Sequence, residues 1–154
     1  MTKSIWGKLS KLLGDNQQQD QNPHKELHVV TAALMVSVSV TNEDFNVVEK
    51  QSILKSIQKR FDIDGDTADK ILEKATKDHD NATDLYSFTR VIMGELEQEG
   101  QKEIVRLLYQ VAFADNNLDH FEEQVISKIS GLLGVGVRDR VKIKQEVRDE
   151  QGLT

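Results

Sequence analysis

Beyond residue 24 the apolar positions of the chain fall into a series of helical periods. From Lys25 to Val40, Leu27, Val30, Leu34 and Val38 share one face, the i, i+3/i+4, i+7 spacing of a helix that buries one side. A second period runs from Val47 to Phe61 through Leu54 and Ile57. Asp66-Thr-Ala-Asp69 offers an N-terminal cap for a short helix bearing Ala68, Ile71, Leu72 and Ala75. The polar run Lys77 to Asn81 predicts a turn, after which Asn81 or Thr83 caps a helix with Leu85, Phe88, Ile92 and Leu96. Gly100 separates this helix from a central one with Ile104, Leu107, Leu108 and Val111. Past the turn ADNNLDHFEE, Ala114 to Glu123, the period restarts at Phe121, Val125, Ile129 and Leu132 or Leu133. Gly134-Val135-Gly136 stops it, and Val137, Val141 and Val147 lie on a last helix.

The segment Val36-Ser-Val38-Ser-Val40 alternates with period two, as a strand would. An internal correspondence argues for helix instead. A shift of 73 residues places Leu34 on Leu107, Met35 on Leu108, Val38 on Val111, Asn42 on Asp115, Asn46 on Asp119 and Glu49 on Glu122. With one residue gapped, the helix after the first turn also matches the helix after the second. Two helical hairpins at this separation read as an internal duplication. The expectation is an all-α compact bundle of six to seven helices in two pseudo-symmetric halves.

Length permits one core-bearing domain, placed at 24–150 and preceded by residues 1–23. Residues 4–13 carry Ile5, Trp6, Leu9, Leu12 and Leu13 among Lys3, Lys8 and Lys11. This is a short amphipathic stretch that suits either peripheral contact with an anionic membrane or folding back onto the domain. Gly14 to Pro23 is polar and lacks a period, as a linker does. No apolar run approaches the roughly 20 residues of a membrane span, and the N-terminus has no secretory h-region. The expected location is therefore cytoplasmic. A net charge of −6 leaves nothing to neutralise a phosphate backbone, which excludes general nucleic-acid binding. With no Cys, thiolate metal sites and Cys nucleophiles are excluded.

Acidic residues carry the candidate chemistry. Asp115, Asp119 and Glu122 bring carboxylates together in one turn, with the Asn116 and Asn117 amides beside them, and hard divalent cations seek such oxygen donors. Asp119-His-Phe-Glu122 also has the spacing of a capping box, which needs no cation. The earlier turn is weaker, because Asn42 and Asn46 stand where Asp115 and Asp119 stand later. Asp62-Ile-Asp64-Gly-Asp66 with Glu73 imitates an EF-hand, but Thr67 occupies the place of the turn glycine and the segment already reads as helix. His24 and His28 have helical chelating spacing yet lack the following Glu of a zinc protease and a third ligand, which suits a solvated helix start. His79 and His120 have no positioned nucleophile, and no phosphate-cradling loop is present. The expectation is therefore not an enzyme.

These stretches resemble the tellurite-resistance TerB family, in its branch of uncharacterised TerB-domain proteins. The likeness lies in Ala32 to Phe61, in ATDLYSFTRVI at Ala82 to Ile92, and in LLYQVAFADNNLDHFEEQVISKISGLLGV at Leu107 to Val135. The last stretch is close to the family turn A-D-G-x-x-D-x-x-E, with Asn116 in place of Gly. The resemblance implies a fold shared with the N-terminal region of a membrane-linked DnaJ-like co-chaperone. It also implies a divalent-cation site at Asp115, Asp119 and Glu122, with Glu49 from the first half, calcium or magnesium favoured over zinc. The function it suggests is a non-enzymatic stress-response module. The alternative is a pure protein–protein interaction module whose acidic turns are helix caps. Candidate partners are an unidentified protein, a membrane surface met by residues 4–13, and a second copy of the chain in a homo-oligomer.

Overall fold

A computed structural model of the chain describes residues 27–39, 47–81, 85–114, 118 and 120–152. The amphipathic stretch 4–13, the linker, His24 and the turn residues Asn42, Asn46, Asp115, Asn116, Asn117 and Asp119 lie outside the described residues. Those described form seven helices and no strand: α1 Leu27–Ser39, α2 Val47–Phe61, α3 Gly65–Asn81, α4 Tyr86–Glu95, α5 Gln98–Ala112, α6 His120–Leu132 and α7 Val137–Glu150. Among the described residues no helix is long and apolar enough to cross a membrane.

Helix α1 is the hub. It packs against α2, α3, α4, α5 and α6, and every one of its residues except His28 is buried. The predicted single face therefore widens to the whole circumference, which a run of Val, Ala, Leu and Met interrupted only by Thr31, Ser37 and Ser39 permits. Its serines stay helical because each hydroxyl donates to the carbonyl one turn back, Ser37 Oγ to Ala33 O at 2.9 Å and Ser39 Oγ to Met35 O at 3.1 Å. This local satisfaction removes the polar penalty that would favour a half-exposed strand.

The duplication is visible in the packing. In each half the first helix meets the third most extensively and the second to a lesser degree: α1 with α3 and α2, α5 with α7 and α6. Across the halves α1 meets α5, and the reciprocal pairs α1–α6 and α2–α5 both form. Helix α4 joins the halves and covers α1. The second helix of each half also ends alike. Asp62 (φ 54°) follows α2 and Gly134 (φ 76°) follows α6, both left-handed. The next N–H returns to the helix, Ile63 to Gln58 O at 3.2 Å and Val135 to Ser130 O at 2.8 Å, which is the Schellman closure.

Several predicted details change. The buried stripe of α6 is Glu122, Ile126, Ile129 and Ser130, continued by Leu133, so Phe121 stands 56% exposed and Val125 only partly buried. On α2 Ile53 is buried and Leu54 only partly so. On α7 the seam is Ile143 and Val147, and Val137 and Val141 face outward. Each of these helices keeps a solvent side and buries only a stripe, and side-chain direction rather than apolar count selects it. Lys77–Asn81 is not a turn but the end of α3, supported by the Thr76 hydroxyl on Leu72 O and a Glu73–Lys77 pair. The cap of α3 is Asp64, whose Oδ1 accepts from Thr67 N–H at 2.8 Å, two residues before the predicted one. Gly100 does not break the chain. It sits in the first turn of α5, where an added Cβ would lie 3.0 Å from Leu96 Cβ.

Candidate functional site

The acidic turns are seen through their flanks. Helices α2 and α6 both start where the turn ends, and each carries a glutamate at its third residue, Glu49 and Glu122. The two residues are 4% and 5% exposed, and both are engaged with neighbours. A carboxylate removed from water costs several kcal/mol unless charge or hydrogen bonds compensate. A helix N-terminus, with its free N–H groups and positive dipole end, supplies part of that compensation. Each glutamate heads the apolar stripe that follows it, Glu49 before Ile53 and Ile57, Glu122 before Ile126 and Ile129. The fold thus brings both first turns into the core in the same way.

Asp115 and Asp119 lie outside the described residues, so the predicted ligand set is represented by Glu122 and Glu49. Among the described residues no group of three or more His, Asp or Glu side chains could hold a metal ion. Glu49 and Glu122 fit a hard cation in donor type, as oxygen ligands held at the head of rigid helices. A complete coordination shell draws on the turn residues as well. The EF-hand imitation carries no such arrangement: Asp64 is spent on the cap of α3, and helix begins at Gly65. The backbone N–H of Thr67 holds the Asp64 carboxyl below its ordinary range.

His28 corrects a prediction. Its imidazole is stacked on Phe61, ring centroids 3.7 Å apart, and is largely buried. Its Nε2 has no hydrogen-bond partner among the described residues. Burial lowers its pKa to about 3, so it is a neutral aromatic packed on Phe61 and not part of a solvated helix start. His120 meets Gln124 Nε2 at 3.1 Å on the surface of α6.

A polar cluster that the sequence did not signal lies at the first turn of α6. Glu123 Oε1 accepts from Arg140 Nη1 at 2.9 Å, from Lys144 Nζ at 3.2 Å and from Tyr109 Oη at 3.4 Å. Arg140 Nη1 also donates to Tyr109 Oη at 3.0 Å. The residues come from α5, α6 and α7, and Tyr109 is fully buried. Burial pushes the phenol up to about 12, beyond what the Arg140 bond returns. Burial also pulls at Arg140, but its bonds to Tyr109 and Glu123 leave it above its ordinary value. The only sequence hint is that Arg140 and Lys144 stand one turn apart on α7.

A concavity of about 520 Å³ opens between α2, α5 and α7, lined by Arg60, Glu103, Arg106, Gln110 and Glu146 among others. Arg106 spans it with its own partners, Glu146 at 2.6 Å and Glu150 at 3.3 Å. These pairs fasten α5 to α7.

A family model described as tellurite resistance protein TerB matches residues 28–145. No curated protein and no solved structure matches the chain. The matched span takes in α1 to α6 and most of α7, with both acidic turns inside it. The chain belongs to the TerB family.

Proposed function

We propose that this chain is a non-enzymatic TerB-like module of the cytoplasm that binds a divalent cation at its second acidic turn and acts in the response to metal or envelope stress. Asp115, Asp119 and Glu122 would supply the oxygen ligands, with Glu49 from the matching turn. Oxygen donors without thiolate favour calcium or magnesium over zinc. The observation that carries the reading is the burial of Glu122 and Glu49 at the same place in both halves. A cation in the turn would add to the charge compensation of carboxylates held away from water at the heads of α2 and α6.

A melting series with calcium, magnesium and zinc tests it. The melting temperature should rise with calcium or magnesium as mass action requires, and Asp115→Asn should remove most of that rise. Unchanged melting in all three cations sinks the proposal.

The interaction module is the second reading, favoured by the capping-box spacing of Asn46 to Glu49 and Asp119 to Glu122. Val48 and Phe121, 50% and 56% exposed at corresponding positions, would offer a partner apolar contact. There Asp119→Ala costs about 0.5–2 kcal/mol with or without cation.

A further inference from the structure

We propose that the outer face of α7 docks an acidic amphipathic helix of a partner protein, through an apolar ridge at Val137 and Val141 and a cationic ridge at Arg138 and Lys142. The surface is separate from both acidic turns, and the inference does not depend on the cation reading.

Helix α7 is seated by Ile143 and Val147, which are buried. At 3.6 residues per turn its opposite side carries Val137, Arg138, Val141, Lys142 and Gln145, and all five are exposed. Val137 and Val141, on successive turns, keep 68% and 49% of their surface. A helix side that meets only water ordinarily carries polar residues there.

The cations of α7 divide into two sets. Arg140 and Lys144 turn inward to Glu123. Arg138 and Lys142, also one turn apart, have no ion pair among the described residues. The outward carboxylate Asp149 lies two turns beyond Lys142 and accepts from Gln145 Nε2 at 3.2 Å. On a chain of net charge −6, the first two turns of this face therefore present positive charge and apolar surface together.

That combination selects the occupant. Val137–Val141 and Arg138–Lys142 are neighbouring i, i+4 ridges, and the groove between such ridges receives a ridge of another helix. A partner helix with apolar residues on one ridge and Glu or Asp on the next satisfies both. A second copy of this chain fits badly. The valine ridge has Arg138 and Lys142 on one side and Arg140 and Lys144 on the other, so seating it on itself sets like charges together. An anionic bilayer fits badly as well, because interfacial helices bury Trp, Phe or Leu where this face has two valines.

Fluorescence anisotropy with the full chain tests the assignment. The probe is a labelled synthetic helical peptide with leucine and glutamate ridges at i, i+4 spacing, and its control carries lysine in place of glutamate. The glutamate peptide should bind at least about tenfold tighter than the lysine peptide, and its affinity should fall as salt is raised. Arg138→Glu and Val141→Asp should each weaken it about tenfold, and amide shifts on binding should fall on residues 137–145. Lys142→Gln, a milder change at an exposed position, repeats the test if either variant folds poorly. Equal affinity for the two peptides, or wild-type affinity in Arg138→Glu or Val141→Asp, overturns the inference. Binding to phosphatidylserine vesicles without binding to the peptide also overturns it and assigns the face to a membrane. A sedimenting dimer that Val141→Asp dissolves overturns it in favour of a second copy.

Discussion

The two halves of the molecule place the same helices in the same pairing, yet they hold their first and third helices together by different forces. On α5 the positions Lys102, Arg106 and Tyr109 reach α7 through Asp139, Glu146, Glu150 and Arg140. The corresponding positions on α1 are Val29, Ala33 and Val36, each 0–1% exposed. Position in the assembly explains the divergence. Helix α1 is enclosed by five others and has no water with which to solvate a charge, so its seam with α3 is made of apolar side chains and the small residues Ala68 and Ala75. Helix α5 is amphipathic, and the edge of its seam with α7 stays wet enough for ion pairs. A duplicated unit thus keeps the stripe that faces its twin and lets the remaining faces follow their surroundings. Buried apolar area gives α1 its stability. The charged pairs of α5 and α7 contribute less but fix register.

Exchanging one residue across the duplication should break this comparison most severely. Ala33→Arg inserts into α1 the residue that α5 carries at the matching place. With no carboxylate to receive it, a buried guanidinium should cost more than about 4 kcal/mol, enough to abolish cooperative denaturant unfolding or nearly so. The reverse change, Arg106→Ala, removes part-exposed pairs and should cost roughly 1–2 kcal/mol. Equal losses in urea titrations would mean that the seams of the two halves are alike after all.

Acid should then separate the halves with a smaller effect. His28 belongs to the first half and is held neutral, its folded pKa near 3 against 6.5 unfolded. Above pH 6.5 neither state binds the proton, so the full stability is present. As pH falls below 6.5 the unfolded chain takes up a proton that the folded chain refuses, and stability declines by about 1.4 kcal/mol per pH unit. The loss reaches about 2 kcal/mol at pH 5. His28→Phe keeps the stacking on Phe61 and should flatten this part of the urea midpoint profile. Tyr109, in the second half, works in the opposite range: its raised pKa is a stabilising term present below pH 10 and lost as pH climbs toward 12. A wild-type midpoint that does not change between pH 7 and 5 would place the imidazole in water.

What the residue pattern reveals and conceals follows from the same physics. The helix count, the bounds of α2, the core role of Leu108 and Val111, and the duplication all rest on apolar spacing, which dominates folding and is local. Apolar spacing misplaces the face of α6 because its stripe begins with a glutamate. Counting only apolar residues starts the period at Phe121, one position early, and leaves out Glu122 as the head of the stripe. Aligning the halves repairs this, since Glu49 and Glu122 coincide and Ile53 falls on Ile126. The circumferential burial of α1 depends on five neighbours, and no window of its own sequence contains them. Glu123, Arg140 and Tyr109 meet across 14 to 31 residues, with no periodicity to announce it. Glu49 and Glu122 of the candidate site could be found by alignment, whereas the cluster around Glu123 needed the fold.

The least disruptive change concerns the two helix ends that the halves close in the same way with different residues. A left-handed residue must follow α2 and α6, and glycine adopts that conformation without steric penalty. Gly134 obeys this in the second half, and Asp62 takes the same conformation in the first, as a short polar side chain can. An added methyl at Gly134 would meet Met93 Cε only at 3.8 Å, so space is no obstacle and backbone strain alone remains. Gly134→Ala should therefore cost about 1 kcal/mol. Asp62→Gly should stabilise by about 0.5 kcal/mol, because relief of strain exceeds the extra freedom glycine gives the unfolded chain. The two variants shift the urea midpoint in opposite directions if the two closures are the same motif. A destabilising Asp62→Gly would show that the Asp62 carboxylate contributes an interaction of its own, and that the first half closes its second helix by side chain as well as by backbone.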